Sequence, residues 1–203
     1  MLRNIIFDMG GVLTEFDPEY FISCLDLKET GDAGLLMSEV FRSEDWRLND
    51  LGEIDEEELE KRVFSRIPER LHADAHRLIY EWDRMSRPIA GMAGLVKDCK
   101  AAGLGVYLLS NASVRQPEYW PRIPGSEHFD GTFVSAFYRC LKPSKEIFKM
   151  ALAKFSLKAE ECLFVDDTKA NAEGAEAAGL MGFHFTGDAD VLRRAIRDLG
   201  VPV

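Results

Sequence analysis

Hydrophobic positions along the chain fall into two regimes. Short continuous apolar runs occur at Ile5-Ile6-Phe7, Val106-Tyr107-Leu108-Leu109 and Leu163-Phe164-Val165. Runs of this kind mark strands covered on both faces of a parallel sheet. Between the later runs, apolar residues recur at helical spacing. The pattern predicts a helix over 88–102, with Leu95, Val96 and Cys99 on its inner face and Gly103 as its stop. A strand follows, ending at Ser110-Asn111, then a weaker strand over 133–137 and a helix over 143–155 with Pro143 near its first turn. The remaining elements are a strand over 162–165, a helix over 169–178, a strand over 181–185 and a helix over 188–199. This alternation implies a parallel sheet with right-handed crossovers.

The stretch 16–87 reads differently, as amphipathic helices without strand-like runs. Asp55-Glu56-Glu57-Glu58 has a capping-box pattern, with Asp55 as cap and Glu58 reaching back, and Lys61-Arg62 later on the same helix. The rest of this acidic run reads as a solvated first turn. The expected architecture is therefore α/β, a doubly wound, Rossmann-like core with a helical cap inserted after the first strand. Residues 1–15 and 88–203 form the core domain and 16–87 the cap domain. Ligands of open α/β sheets collect outside the carboxyl ends of the strands, so an insertion there covers the site.

Composition narrows the partners. With 203 residues and 46% hydrophobic content, the chain can build one good core plus a smaller unit. A net charge of −10 argues against nucleic acid and against anionic membranes, both of which need a basic surface. No apolar run approaches bilayer length, and the N-terminus opens on a core strand without a leader pattern. Cys24, Cys99, Cys140 and Cys162 form no C-x-x-C pair and suit reduced thiols. A cytoplasmic location is expected.

Candidate chemistry gathers at the strand ends. Asp8 closes the first run before Gly10-Gly11, Ser110-Asn111 closes the second, Lys142 precedes a helix, and Asp166-Asp167 closes a later run. Each has an ordinary explanation alone: a turn residue for Asp8, a helix cap for one of Asp166 and Asp167, an exposed lysine for Lys142. Together they supply a nucleophile, hydroxyl and amide donors, a cation and paired carboxylates that repel unless a cation holds them. Phosphoryl transfer needs these parts, because it depends on positioning and on neutralising charge.

These residues, in this order, resemble the haloacid dehalogenase superfamily of phosphatases. The matching segments are residues 5–13 through Asp8, Leu108-Leu109-Ser110-Asn111, Leu141-Lys142-Pro143, and Leu163-Phe164-Val165-Asp166-Asp167 with Asn171. Tyr119-Trp120-Pro121 and Leu51-Gly52-Glu53-Ile54 resemble the branch that contains the α-D-glucose-1-phosphate phosphatase. The resemblance implies a phosphomonoesterase acting on a small phosphorylated metabolite, with sugar phosphates favoured. Asp8 would form an aspartyl phosphate. Mg²⁺ would be held by Asp8, the Gly10 carbonyl, Asp166 and Asp167. Ser110 and Asn111 would bind phosphoryl oxygens, Lys142 would screen Asp8 from the incoming phosphate, and Asn171 would orient the acidic pair.

One position departs from the family pattern. The acid–base aspartate usual two residues after the nucleophile is Gly10 here, a loss that general acid–base catalysis values at about 10²–10⁴-fold. Glu15 and Asp17 are the nearest acids that could substitute, and Asp17 also suits a helix cap before Pro18. Trp120 is a further candidate, as a border of the substrate. His72 and His76 have the spacing of a transition-metal pair, but without a third ligand they read as a helix face. Two other functions compete: a metal-independent dehalogenase using Asp8 on carbon, and a catalytically silent metabolite-binding or regulatory protein.

Overall fold

In the computed structural model, which describes all of residues 1–203, the apolar runs are the strands of one sheet. Five parallel strands, β1 (Asn4–Phe7), β2 (Gly105–Ser110), β3 (Gly131–Val134), β4 (Cys162–Asp166) and β5 (Met181–His184), lie in the order β3-β2-β1-β4-β5. Side chains alternate across the sheet. Ile5, Phe7, Leu163 and Val165 face one buried cluster, and Ile6, Cys162 and Phe164 face another. Helices Met92–Ala101 and Ala189–Asp198 supply Leu95, Val96, Leu192 and Ile196 to the first cluster. Helices Lys145–Phe155 and Lys169–Ala177 supply Ile147, Phe148 and Ala175 to the second. The sheet is doubly wound, and its strand order reverses between β1 and β4. That crevice is where such sheets bind ligands.

Several boundaries differ from the sequence expectation. The helix expected over 88–102 starts at Met92, because Pro88 pairs with Thr14 and Gly91, at φ +82°, turns the chain into the helix. The strand expected over 133–137 is Gly131–Val134, and Ser135–Phe137 is a 3₁₀ turn that leaves Phe137 exposed. The helix expected over 143–155 starts at Lys145, capped by Ser144, with Pro143 outside it after a cis peptide bond.

Between β1 and the helix at Met92 run the helices Pro18–Ser23, Asp32–Leu36, Glu44–Asp50, Glu56–Phe64, His72–Tyr80 and Trp82–Met85. Asp55 accepts the Glu58 N–H at 2.9 Å, but the Glu58 side chain turns to Arg62 at 2.7 Å, so the capping box is half formed. Phe21, Leu36, Val40, Leu59, Val63 and Leu78 join the same buried cluster as the first face of the sheet. No helix is long and apolar enough to cross a membrane. All four cysteines are free thiols, with Cys99 and Cys162 buried.

Two features fix the helical segment over the sheet. At its base the chain crosses twice side by side: the Glu15 N–H donates to the Arg87 carbonyl at 2.8 Å, the Ile89 N–H to the Leu13 carbonyl at 3.0 Å, and the Thr14 and Ser86 hydroxyls meet at 2.6 Å. At its far side, the Ser135 hydroxyl after β3 donates to the Asp50 carbonyl at 2.6 Å. Beside it, Gly52 has φ +73°, and a Cβ there would stand 2.2 Å from the Ala136 carbonyl oxygen. Gly52→Ala should therefore lower stability in urea unfolding by about 2 kcal/mol or more, from left-handed strain together with the clash. A variant as stable as the parent would show that this contact is dispensable.

Candidate active site

The site starts where β1 and β4 end. The Asp8 N–H extends the ladder by one residue, donating to the Val165 carbonyl at 2.9 Å. The chain then turns tightly, with the Met9 carbonyl accepting the Leu13 and Thr14 N–H groups at 2.8 and 3.1 Å. Gly11 takes φ +72°, and the Asp167 carboxylate fills the space a side chain would need: a Cβ would stand 2.2 Å from its Oδ2. Glycine here is what lets the two loops touch. The Gly10 carbonyl accepts no hydrogen bond and borders the cavity.

Lys142 lies at the centre. Its Nζ is 2.9 Å from Asp8 Oδ1, 2.6 Å from Asp166 Oδ2 and 3.1 Å from the Leu109 carbonyl, with 1% of its side chain exposed. Asn111 fixes the backbone there from both sides. Its Oδ1 accepts the Lys142 N–H at 2.9 Å and its Nδ2 donates to the Lys142 carbonyl at 3.2 Å. Asp166 is fully buried, and its Oδ1 accepts from the Thr168 N–H at 2.8 Å and Asn171 Nδ2 at 3.0 Å. Both of its oxygens are thus engaged. The exposed Asp167 carboxylate has no hydrogen-bond partner.

Burial pushes the Asp8 carboxyl up to about 6, with Lys142 opposing the rise and Asp166 adding to it. Burial alone would lower the Lys142 ammonium, but Asp8 and Asp166 hold it above its usual value. Partial loss of surrounding water and the neighbouring Asp166 raise the Asp167 carboxyl as well. Oxygens of Asp8, Asp166 and Asp167 all lie within 4.8 Å of one another. One ammonium faces three carboxylates, and the spare oxygens are hard donors. That donor set fits a small divalent cation such as Mg²⁺.

A cavity of about 250 Å³ opens over these groups. Asp8, Gly10, Ser110, Asn111, Lys142, Asp167 and Asn171 line its sheet side. The helical segment and the loop after β2 supply Phe16, Trp46, Asn49, Asp50, Glu56, Ile79, Trp82 and Tyr119. The aromatic rings form a connected wall, with ring centres 5.1 Å apart for Phe16–Trp82 and for Trp82–Tyr119. Two further ties hold this wall: the Ser113 hydroxyl donates to Glu56, and the Arg115 guanidinium donates to the carbonyls of Ile79 and Tyr80 at 3.2 and 2.9 Å.

Other candidates lie elsewhere. Asp17 caps the helix at Pro18, accepting the Tyr20 N–H at 3.0 Å, outside this cavity. Glu15 pairs with Arg87 at the base of the helical segment. Trp120 packs edge-on against Phe129, while its neighbour Tyr119 faces the cavity. His72 stacks on Phe64 and His76 meets Glu60 at 2.6 Å, so the two rings have separate partners. Glu56, expected in a solvated turn, is buried against Ser113. Sequence reasoning missed Asp50 and Glu56 as cavity residues. The only signal was their position on either side of the Leu51-Gly52-Glu53-Ile54 segment.

Comparison with known proteins agrees with this geometry. Residues 2–179 match the family model of the haloacid dehalogenase-like hydrolases. The chain is 30% identical over 193 residues to the sesquiterpene phosphatase astK of Aspergillus oryzae, covering 91% of this chain and 90% of that protein. Among solved structures it is similar to the HAD family enzyme bt-2542 of Bacteroides thetaiotaomicron, at a TM-score of 0.72 and 20% identity, covering 96% of this chain and 98% of that one. That enzyme has also been solved in complex with magnesium and inorganic phosphate. The L-2-haloacid dehalogenase of Xanthobacter autotrophicus shares the fold at a TM-score of 0.65 and 17% identity, covering 98% of this chain and 83% of that one. With a doubly wound sheet, an aspartate, lysine and paired acids at its strand ends, and a family model that spans most of its length, the chain belongs to the haloacid dehalogenase-like hydrolases.

Proposed function

We propose that this hydrolase is a Mg²⁺-dependent phosphomonoesterase that works through an aspartyl phosphate on Asp8. The observation that carries this reading is Lys142, buried between Asp8 and Asp166 beside the unpartnered carboxylate of Asp167. Asp8 borders the cavity and is held by the β1 end, so its carboxylate can attack phosphorus. Lys142 offsets the repulsion between Asp8 and a phosphoryl dianion. Ser110 borders the same cavity and would hold a phosphoryl oxygen. Asn111 borders the same space, but its hydrogen bonds serve mainly to position Lys142.

Asp8, the Gly10 carbonyl and Asp167 would hold the metal directly. Asp166, with both oxygens engaged and Asn171 attached, would orient from behind. Bound there, Mg²⁺ supplies positive charge for the phosphoryl oxygens. A dehalogenase acting on carbon needs no such donor set, so paired acids beside Asp8 count against it. Residues 1–15 and 88–203 act in this reading as a core domain that carries the chemistry, and 16–87 as a cap domain that shapes the cavity. Four free thiols suit a reduced, cytoplasmic compartment.

The substrate class rests on the cavity wall. Phe16, Trp46, Trp82, Tyr119 and Ile79 favour an apolar carbon skeleton beside the phosphate, which is consistent with the sesquiterpene phosphatase relative. A sugar phosphate is the second reading, favoured by Asn49, Asp50 and Glu56, which can accept or donate to hydroxyls. Phosphate release from a panel of prenyl, aryl and sugar phosphates distinguishes them by the ratio of kcat/KM.

Asp8→Asn should abolish turnover with the fold intact by circular dichroism; normal turnover would remove Asp8 as nucleophile. Chelation should stop turnover, and Mg²⁺ should restore it; indifference to chelator would revive the dehalogenase reading. Lys142→Met should stop turnover and lower stability by about 3–5 kcal/mol at neutral pH, because two buried carboxylates lose their counter-charge. Urea unfolding should show this loss shrinking as acid protonates Asp8, whose carboxyl burial raises.

A further inference from the structure

The usual place for an acid–base group holds Gly10 in this chain, and Phe16 crowds it. A Cβ on Gly10 would stand 3.2 Å from Phe16 Cβ, and Phe16 is itself packed between Trp46 and Trp82. Glu15 and Asp17 are engaged outside the cavity. Four acids border the cavity: Asp8, Asp50, Glu56 and Asp167. Asp8 and Asp167 belong to the carboxylate cluster at the strand ends, and Glu56 accepts from Ser113. Asp50 is not part of that cluster, and its carboxyl has no hydrogen-bond partner.

Its placement is nevertheless fixed. Asp50 is the last residue of the helix Glu44–Asp50, and its carbonyl receives the Ser135 hydroxyl at 2.6 Å. Asn49 before it donates to the Ile54 carbonyl at 3.2 Å, and Gly52 after it rests on Ala136. The side chain is thus held on the cavity wall by both the helical segment and the loop after β3.

We propose that Asp50 is the acid–base catalyst of this site, a reading that rests on the phosphomonoesterase function above. In the first step an Asp8 oxygen bonds to phosphorus as the bond from phosphorus to the ester oxygen breaks. The electron pair stays on that oxygen, which takes the Asp50 proton and leaves as an alcohol. In the second step the Asp50 carboxylate takes a proton from water as the water oxygen bonds to phosphorus. The bond to Asp8 then breaks with its electron pair returning to the Asp8 carboxylate, phosphate leaves, and Asp50 is again protonated.

The surroundings suit both steps. Asp50 is pushed up to about 7, chiefly by burial, with Asp8 and Glu56 adding to the rise and Lys142 opposing it. Tyr119 also brings a hydroxyl to this wall, but burial holds its phenol far above its usual value, so it cannot serve as the base of the second step.

The test compares an alkyl phosphate, whose leaving oxygen needs a proton, with 4-nitrophenyl phosphate, whose leaving group does not. In Asp50→Asn, kcat/KM should fall by about 10²–10⁴-fold on the alkyl ester and less than about tenfold on the aryl ester. Because the second step slows too, 4-nitrophenol should appear in a burst whose amplitude counts competent sites. Equal loss of kcat/KM on the two esters, at a full burst, would overturn the assignment of Asp50 alone. If Asp50→Asn is silent on both, Asp50→Glu decides: recovery of alkyl-ester turnover supports the assignment, and no recovery overturns it. A wild-type protein that releases phosphate from neither ester would overturn the phosphomonoesterase reading, and this assignment with it.

Discussion

A lysine ammonium buried between two carboxylates is the constraint around which the rest is arranged. Taking Lys142, Asp8 and Asp166 out of water is costly unless each charge finds its partners at close range. The geometry that satisfies them needs β1 and β4 side by side, so that Asp8 and Asp166 end at the same level. It also needs the segment after β3 to return to the end of β2, where Leu109 and Asn111 receive Lys142. Three distant stretches of sequence are thereby held to within a few bond lengths at the sheet's crevice. One lysine cannot neutralise Asp167 as well, and that residual charge would suit a divalent ion.

Much of this was legible in the sequence because the signals are local. A strand covered on both faces must be apolar throughout, so the runs at 5–7, 106–109 and 163–165 identified their strands, and the polar residue ending each one identified the ligand edge. Boundaries failed where tertiary contacts decide. Pro88 looks like a helix start but pairs with Thr14, and Phe137 looks like strand but is exposed in a turn. Asp17 suits a helix cap in the sequence, and in the structure it caps the helix at Pro18.

The cavity's far wall was not legible, for a different reason. Asp50, Glu56, Trp46 and Trp82 sit on amphipathic helices, where a carboxylate or ring facing a cavity has the same spacing as one facing solvent or core. Only the docking of the helix Glu44–Asp50 onto Ser135 and Ala136, and of Glu56 onto Ser113, reveals which face is which. The same docking explains why one buried cluster runs without interruption from the sheet into the helical segment.

The Ser135 hydroxyl joins three parts of the structure at one point. Its oxygen accepts the Ala112 N–H at 2.9 Å while its proton goes to the Asp50 carbonyl, so the loop beyond β2, the turn beyond β3 and the helix end are tied at one atom. If the helical wall swings out to release the alcohol, this bond breaks and Asp50 withdraws with the wall. Water entering the open crevice would then meet a phosphorylated Asp8 with no base at hand. On that reading a covalent intermediate on Asp8 would be sheltered until the wall returns, and closure of the wall, rather than arrival of water, would set when phosphate is freed.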